Sequence, residues 1–173
     1  MYFDGSADYI KVWDGSSGDY DFGTADYTIE CWVNISSSSP SNYNTIFSNS
    51  HLGLHLFERG GEFYYYTSSD GGSNPSNGLT GYTTNTWYHV AAVRDGTDTR
   101  VYINGKCSLN YTWNGTTDAS TSNFRIGGGD NYYLDGYIYD FRVTGGEAKY
   151  SGTSTASDSV SYTHLTLPTT PYV

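Results

Sequence analysis

Two short turns place the strongest constraint on how this chain can fold. Asp95-Gly96 and Asn104-Gly105 cut the stretch from Trp87 to Leu109 into three β-rich runs: Trp87–Arg94, Thr99–Ile103 and a third after Gly105. Glycine adopts positive φ at no steric cost, and Asn or Asp before it tolerates the left-handed region, as a tight hairpin requires. Within Arg100-Val101-Tyr102-Ile103, Val101 and Ile103 face one way while Arg100 and Tyr102 face the other. The spacing predicts a three-stranded antiparallel meander.

The same grammar recurs along the chain. Strands are expected at Tyr9–Val12, Tyr27–Ile35, Thr45–Ser48, Leu52–Phe57, Glu62–Thr67, Asn123–Ile126 and Tyr137–Val143, separated by Gly, Asn, Asp and Ser. No window holds the 3.6-residue apolar period of an amphipathic helix. The expected fold class is therefore all-β, a two-sheet antiparallel sandwich. Apolar residues make up only 36% of the chain, but 19 Tyr bring the aromatic share to 17%. A tyrosine buries its ring and keeps its hydroxyl wet, which suits thin sheets with two faces. The polar stretches Ser36–Asn44 and Ser68–Thr86 read as loops, and Gly127–Asp130 as a tight turn.

Charge and motifs exclude several functions. Eighteen acidic against eight basic residues give a net charge of −10, and the few Lys and Arg are scattered. Nucleic-acid binding needs a basic face, so it is not expected. Membrane insertion is not expected either, since no apolar run approaches the roughly 20 residues a spanning helix needs. Cys31 and Cys107 allow two readings, a pair of small buried residues or one disulfide.

The C-terminal part reads differently. After Tyr150 the strand pattern gives way to Ser and Thr, and Val160 to Thr170 resembles a one-frame translation of a transposase adapter used in preparing sequencing libraries. The expected organisation is a sandwich over residues 1–150, a Ser/Thr-rich tail over 151–159 and a non-native tail over 160–173.

Five blocks in order carry a resemblance across residues 2 to about 150. They are Tyr2-Phe3-Asp4-Gly5 with Tyr9-Ile10; Tyr27-Thr28-Ile29-Glu30-Cys31-Trp32-Val33; and Trp87-Tyr88-His89-Val90-Ala91 with Val101-Tyr102-Ile103-Asn104-Gly105. Phe124-Arg125-Ile126-Gly127-Gly128 and Gly136-Tyr137-Ile138-Tyr139-Asp140-Phe141-Arg142-Val143 complete the series. The chain resembles laminin-G-like, concanavalin A-like jelly rolls. Phe141-Arg142-Val143-Thr144 with Glu147-Ala148-Lys149-Tyr150 looks like copies in phage structural and tail proteins, although the Pro-containing closing segment of those copies is absent. The resemblance implies a non-catalytic carbohydrate-binding or surface-adhesion module in a larger, multidomain or oligomeric protein of a virion or cell surface. Its partner would be a glycan or host-surface receptor. A spacer domain without ligand is the alternative, and a divergent glycosidase-like domain the weaker one.

Catalysis is not expected. Glycosidases need two flanking carboxylates, and Glu30, Glu58, Glu62 and Glu147 have no second acid at matching spacing. Glu30 is expected in a structural pairing, and His89 at a structural strand position. His51 and His55, four apart, would share a strand face. Calcium takes hard oxygen ligands, and laminin-G-like relatives often bind it. Asp4 and Asp140 match family strand positions and Asp135 lies beside the Gly-rich turn, so these three are the candidate ligands. Tyr64 and Tyr66, alternating in Phe63-Tyr64-Tyr65-Tyr66, are candidate sugar-stacking rings. Asp130, Asn131, Tyr132 and Tyr133 form a candidate stacking and hydrogen-bonding corner on a loop.

Overall fold

The computed structural model describes residues 1–12, 20–49, 54–67, 82–117, 124–129 and 131–153. Among the described residues every regular element is a strand: β1 Tyr2–Asp4, β2 Ile10–Lys11, β3 Tyr27–Ile35, β4 Asn44–Ser48, β5 His55–Arg59, β6 Glu62–Tyr66 and β7 Trp87–Asp95. These are followed by β8 Asp98–Ile103, β9 Lys106–Thr112, β10 Arg125–Ile126, β11 Gly128–Gly129, β12 Tyr132–Tyr133 and β13 Asp135–Gly145. No helix among the described residues is long and apolar enough to cross a membrane. One sheet runs β1-β13-β3-β7-β8-β9, a second β2-β10-β4-β5-β6, and β11 pairs with β12. Every pairing is antiparallel. This is a two-sheet sandwich, as expected.

The meander is present as β7-β8-β9, and Asn104 and Gly105 both take positive φ at its second turn. Alternation then fills the core. Tyr27, Ile29, Cys31 and Val33 of β3 pack with Val90 and Ala92 of β7 and with Val101 and Ile103 of β8. The opposite sheet contributes Phe47, Leu56, Phe63, Tyr65 and Ile126. Tyr27 and Tyr65 join their hydroxyls at 2.9 Å across this core. Burial pushes both phenols well above their usual range, so both stay protonated.

Three bulges re-aim side chains. In β9 the register steps from Val101↔Leu109 to Tyr102↔Cys107. Leu109 therefore faces the main core while Cys107 joins Ala91, Val93 and Tyr102 on the outer face. Cys31 and Cys107 lie on opposite faces of one sheet, and both are free thiols. In β4, Ile46 and Phe47 are consecutive and both buried, at a break between Thr45 and Phe47. The third bulge, in β13, is taken up below.

Arg94 is only 2% exposed and acts as an internal staple. It donates to the carbonyls of Gly96, Gly23 and Gly115, and its guanidinium lies 4.7 Å from the Trp113 ring. Glu58 does the same at the other end as an acceptor, taking bonds from the Ser38 hydroxyl, the Asn44 amide and the Gly61 N–H. Packing continues past residue 150, because Tyr102 donates to the Gly152 carbonyl.

Gly136 sits where β1, β13 and β3 meet, and a Cβ there would lie 2.1 Å from the Asn34 carbonyl oxygen. Gly136→Ala should lose about 3 kcal/mol or more in urea denaturation, the scale of a severe backbone clash. Gly152→Ala, which meets nothing within 4 Å, should stay close to wild type. Equal stabilities would refute this packing.

Candidate functional site

The outer face of the five-stranded sheet gathers aromatic rings. Phe57 pairs with Tyr64 and His55 with Tyr66, so alternation points all four side chains the same way. Phe57 is fully buried yet lies outside the inter-sheet core, since its neighbours cover it from the solvent side. Tyr64 stacks on it at 5.1 Å and 3°, Tyr66 meets it edge-on at 5.2 Å and Tyr43 tilts against it at 4.7 Å. Tyr132 extends the array, 4.2 Å from Tyr43. The four tyrosines are half-buried, and Phe57 is the common floor of Tyr43, Tyr64 and Tyr66.

A polar rim surrounds these rings. Arg59 lies 5.0 Å over Tyr43 and donates to the Tyr43 hydroxyl and the Pro40 carbonyl. Tyr64 donates to Glu62, and Thr45 shares a 3.0 Å hydrogen bond with His55 Nε2. Burial pushes the Tyr66 phenol up, so it remains a neutral donor and acceptor. The array is a set of mutually packed rings with hydrogen-bonding groups at its edges.

Three of the expected stacking residues thus come together: Tyr64, Tyr66 and Tyr132. Tyr43 and Phe57, which link them, were not anticipated. The sequence signal for Phe57 is alternation with His55 and Arg59 in β5, whose expected boundaries ended at Phe57, while Tyr43 lies in the expected loop Ser36–Asn44, where no periodicity marks it. Tyr132 and Tyr133 form strand β12 rather than a loop, so consecutive rings diverge. Tyr133 turns away to lie over Gly128. Asn131 is an exposed turn residue with φ of 70°. Asp130 lies outside the described residues, as does His51.

The three aspartates do not converge. Asp4 and Asp135 are direct cross-strand partners. Asp140 sits five residues further along β13 at the bulge, its carboxylate held by both Nε and a terminal nitrogen of Arg142. Among the described residues no three His, Cys, Asp or Glu side chains gather as a metal set. Asp4 and Asp135, as cross-strand neighbours, are the two of the three that could lend carboxylates to one calcium ion, whose shell backbone carbonyls and waters complete.

Glu30 is buried together with a basic neighbour, His89. It accepts a 2.5 Å hydrogen bond from the Tyr150 hydroxyl, and His89 Nε2 lies 3.3 Å from the same oxygen. Its setting is a structural pairing, with both side chains about 5% exposed or less. Burial raises the carboxyl, but His89 and Tyr150 outweigh burial and hold it below the usual range.

A profile of the concanavalin A-like lectin/glucanases superfamily matches residues 4–149. The chain belongs to this superfamily. None of the curated proteins matches its sequence. Among solved structures, a candidate carbohydrate-binding protein from Bacteroides ovatus is 20% identical, with a TM-score of 0.65 over 90% of this chain and 44% of that one. Domains LG4-5 of the mouse laminin alpha1 chain are 12% identical, with a TM-score of 0.64 over 83% and 40%. Domain 4 of an extracellular arabinanase from Geobacillus stearothermophilus, solved with arabinotriose, is 18% identical, with a TM-score of 0.59 over 81% and 68%. At these identities the likeness concerns the fold. The chain spans less than half the length of the first two.

A depressed carboxyl pKa adds stability that is present above the unfolded value of 4.5 and lost as pH falls through the folded value. Glu30→Gln should therefore melt below wild type at neutral pH, and the gap should narrow as the pH drops below 4.5. Parallel melting curves across that range would contradict the pairing.

Proposed function

We propose that this superfamily member is a non-catalytic carbohydrate-binding or surface-adhesion module, carried on a larger extracellular or virion protein. The observation that carries this reading is the Tyr43–Phe57–Tyr64–Tyr66–Tyr132 array with its Arg59 and Glu62 rim. A sugar ring has an apolar C–H face and a hydroxyl edge. Tyrosine faces take the first, while phenol, carboxylate and guanidinium groups exchange hydrogen bonds with the second. The rings are already fixed against Phe57, so little ordering is lost on binding.

Binding without catalysis is supported by the state of the acids. Glu58 is fully buried among three donors and Glu30 is paired with Tyr150 and His89. Both carboxylates are thus held by protein donors rather than left free for the paired acid–base work of glycoside hydrolysis. The likeness to a candidate carbohydrate-binding protein and to an arabinanase domain solved with arabinotriose points to the same ligand class.

A glycan array, read with calcium and again with a chelator, tests the proposal. Wild-type chain should bind a defined set of neutral glycans, and Tyr64→Ala/Tyr66→Ala should weaken that binding roughly tenfold, at about 0.5–1.5 kcal/mol per ring. A calcium requirement would shift the site toward Asp4 and Asp135. Silence across the array would favour a ligand-free spacer, and release of reducing sugar would favour an enzyme.

A further inference from the structure

The outer face of the six-stranded sheet is divided into a covered half and an open half. After β13 the chain turns back and lies across the sheet. Lys149 N–H donates to the Thr28 hydroxyl, which itself donates to the Glu147 carbonyl. Tyr150 reaches Glu30, and Tyr102 reaches the Gly152 carbonyl. Ala148 and Tyr150 pack on Ala91, Val93, Tyr102 and Cys107. This strap closes the half of the face that begins at Glu30.

The other half carries Tyr2, Trp32, Trp87, Tyr137 and Tyr139. Register fixes them in two cross-strand rows, Tyr2↔Tyr137↔Asn34↔Trp87 and Tyr139↔Trp32↔His89. The rows lie two residues apart along each strand, roughly 7 Å. Ile138 and Val33, between the rows, point into the core. Tyr2, Tyr137 and Tyr139 are 59%, 44% and 42% exposed. Tyr2 and Tyr137 stand 4.9 Å apart and Trp87 lies 6.4 Å from Tyr137. The Trp32 indole N–H is buried and has no hydrogen-bond partner. A solvent-facing row needs only polar residues, so five large rings there form a surface that calls for a ligand.

The chemistry of that ligand follows from the charges. Glu30 is occupied by Tyr150 and His89, and Asp140 by Arg142, whereas Asp4 and Asp135 face each other in the next row of the same face, beside Tyr2 and Tyr137. What remains is ring surface edged by phenol hydroxyls, the Asn34 amide and the Asp4 and Asp135 carboxylates, which accept hydrogen bonds from sugar hydroxyls and repel an anionic chain. A neutral, hydroxyl-rich chain matches this surface. A second copy does not, because face-to-face packing would bring together two chains of net charge −10.

We propose that this open half is a second glycan-binding surface, selective for neutral polysaccharide, and that it makes the module bivalent. The proposal builds on the carbohydrate-binding reading of the Tyr64 and Tyr66 face. The two surfaces are the outer faces of opposite sheets and point in opposite directions. One short glycan cannot engage both, so the second surface confers bridging between polysaccharide chains rather than tighter grip on one.

The test uses the full chain, Tyr137→Ala/Tyr139→Ala, Tyr64→Ala/Tyr66→Ala and the quadruple variant. Each is run by affinity electrophoresis in gels containing xylan, arabinan, mannan, laminarin or, as a charged control, polygalacturonate. The retarding polysaccharide is then mixed with protein and followed by turbidity. Tyr137→Ala/Tyr139→Ala should keep its melting midpoint, and Tyr64→Ala/Tyr66→Ala, which uncovers Phe57, should melt lower but still cooperatively; each should show several-fold weaker retardation and lose the turbidity, while the quadruple variant should lose both. If Tyr137→Ala/Tyr139→Ala matches wild type in retardation and turbidity, the second surface is refuted. The same holds if sedimentation shows a wild-type dimer that this variant dissociates, or if polygalacturonate retards best. If only Tyr64→Ala/Tyr66→Ala is silent, the first surface falls and the open half stands as the binding face. No retardation of wild type by any polysaccharide would overturn both readings.

Discussion

One extra residue in β13 decides where every later side chain of that strand points. Against β3 the register runs Ile138↔Val33 and Tyr139↔Trp32, then resumes at Arg142↔Glu30. Asp140 and Phe141 therefore stand opposite Cys31 alone, and Asp140 absorbs the surplus with φ of 54°. Strict alternation would send Asp140 into the core and Phe141 into solvent. With the bulge, Phe141 packs against Phe47 and Phe124 while Arg142 stays outside to hold Asp140. Both faces of the six-stranded sheet depend on that step, because β13 lies between β1 and β3.

The bulge also separates two chemistries on the outer face. Before it, Tyr137 and Tyr139 continue the ring-bearing rows; after it, Arg142 and Thr144 lead into the strap over Glu30 and Tyr102. The sandwich thus spends part of one face on its own closure and leaves the rest open. On the opposite sheet no strap is needed, since Phe57 is covered by the tyrosines themselves. Rings do structural work in one place and remain available in another, and the difference is set by register rather than by residue type.

This is also why the sequence was readable in some places and opaque in others. Asp95-Gly96 and Asn104-Gly105 act locally, through the backbone freedom of two residues, and the meander they predict is present with nearly the expected boundaries. Alternation in Phe63-Tyr64-Tyr65-Tyr66 placed Tyr64 and Tyr66 on an outer face for the same local reason. Bulges are not local in that sense. Nothing in Tyr139-Asp140-Phe141 marks the extra residue, so Asp140 reads as an available ligand until its pairing with Arg142 is seen. Tyr43 and Phe57 were missed because their meeting depends on β4, β5 and the preceding loop, which lie apart in sequence. Tyr2, Trp32, Trp87 and Tyr137 come from four strands, and only the strand order β1-β13-β3-β7 reveals them as neighbours.

The central claim is that sheet-face tyrosines, not rim loops or paired acids, are what this sandwich offers a ligand. An aromatic carbon–proton correlation spectrum recorded during titration with arabinotriose or a neutral polysaccharide fragment tests it most directly. The account predicts that ring signals of Tyr64, Tyr66, Tyr137 and Tyr139 move in proportion to ligand, while those of the core residues Phe47 and Phe124 stay fixed. Shifts confined to the backbone around Gly5, Gly127 and Asp135, with the tyrosine rings unmoved, would contradict it.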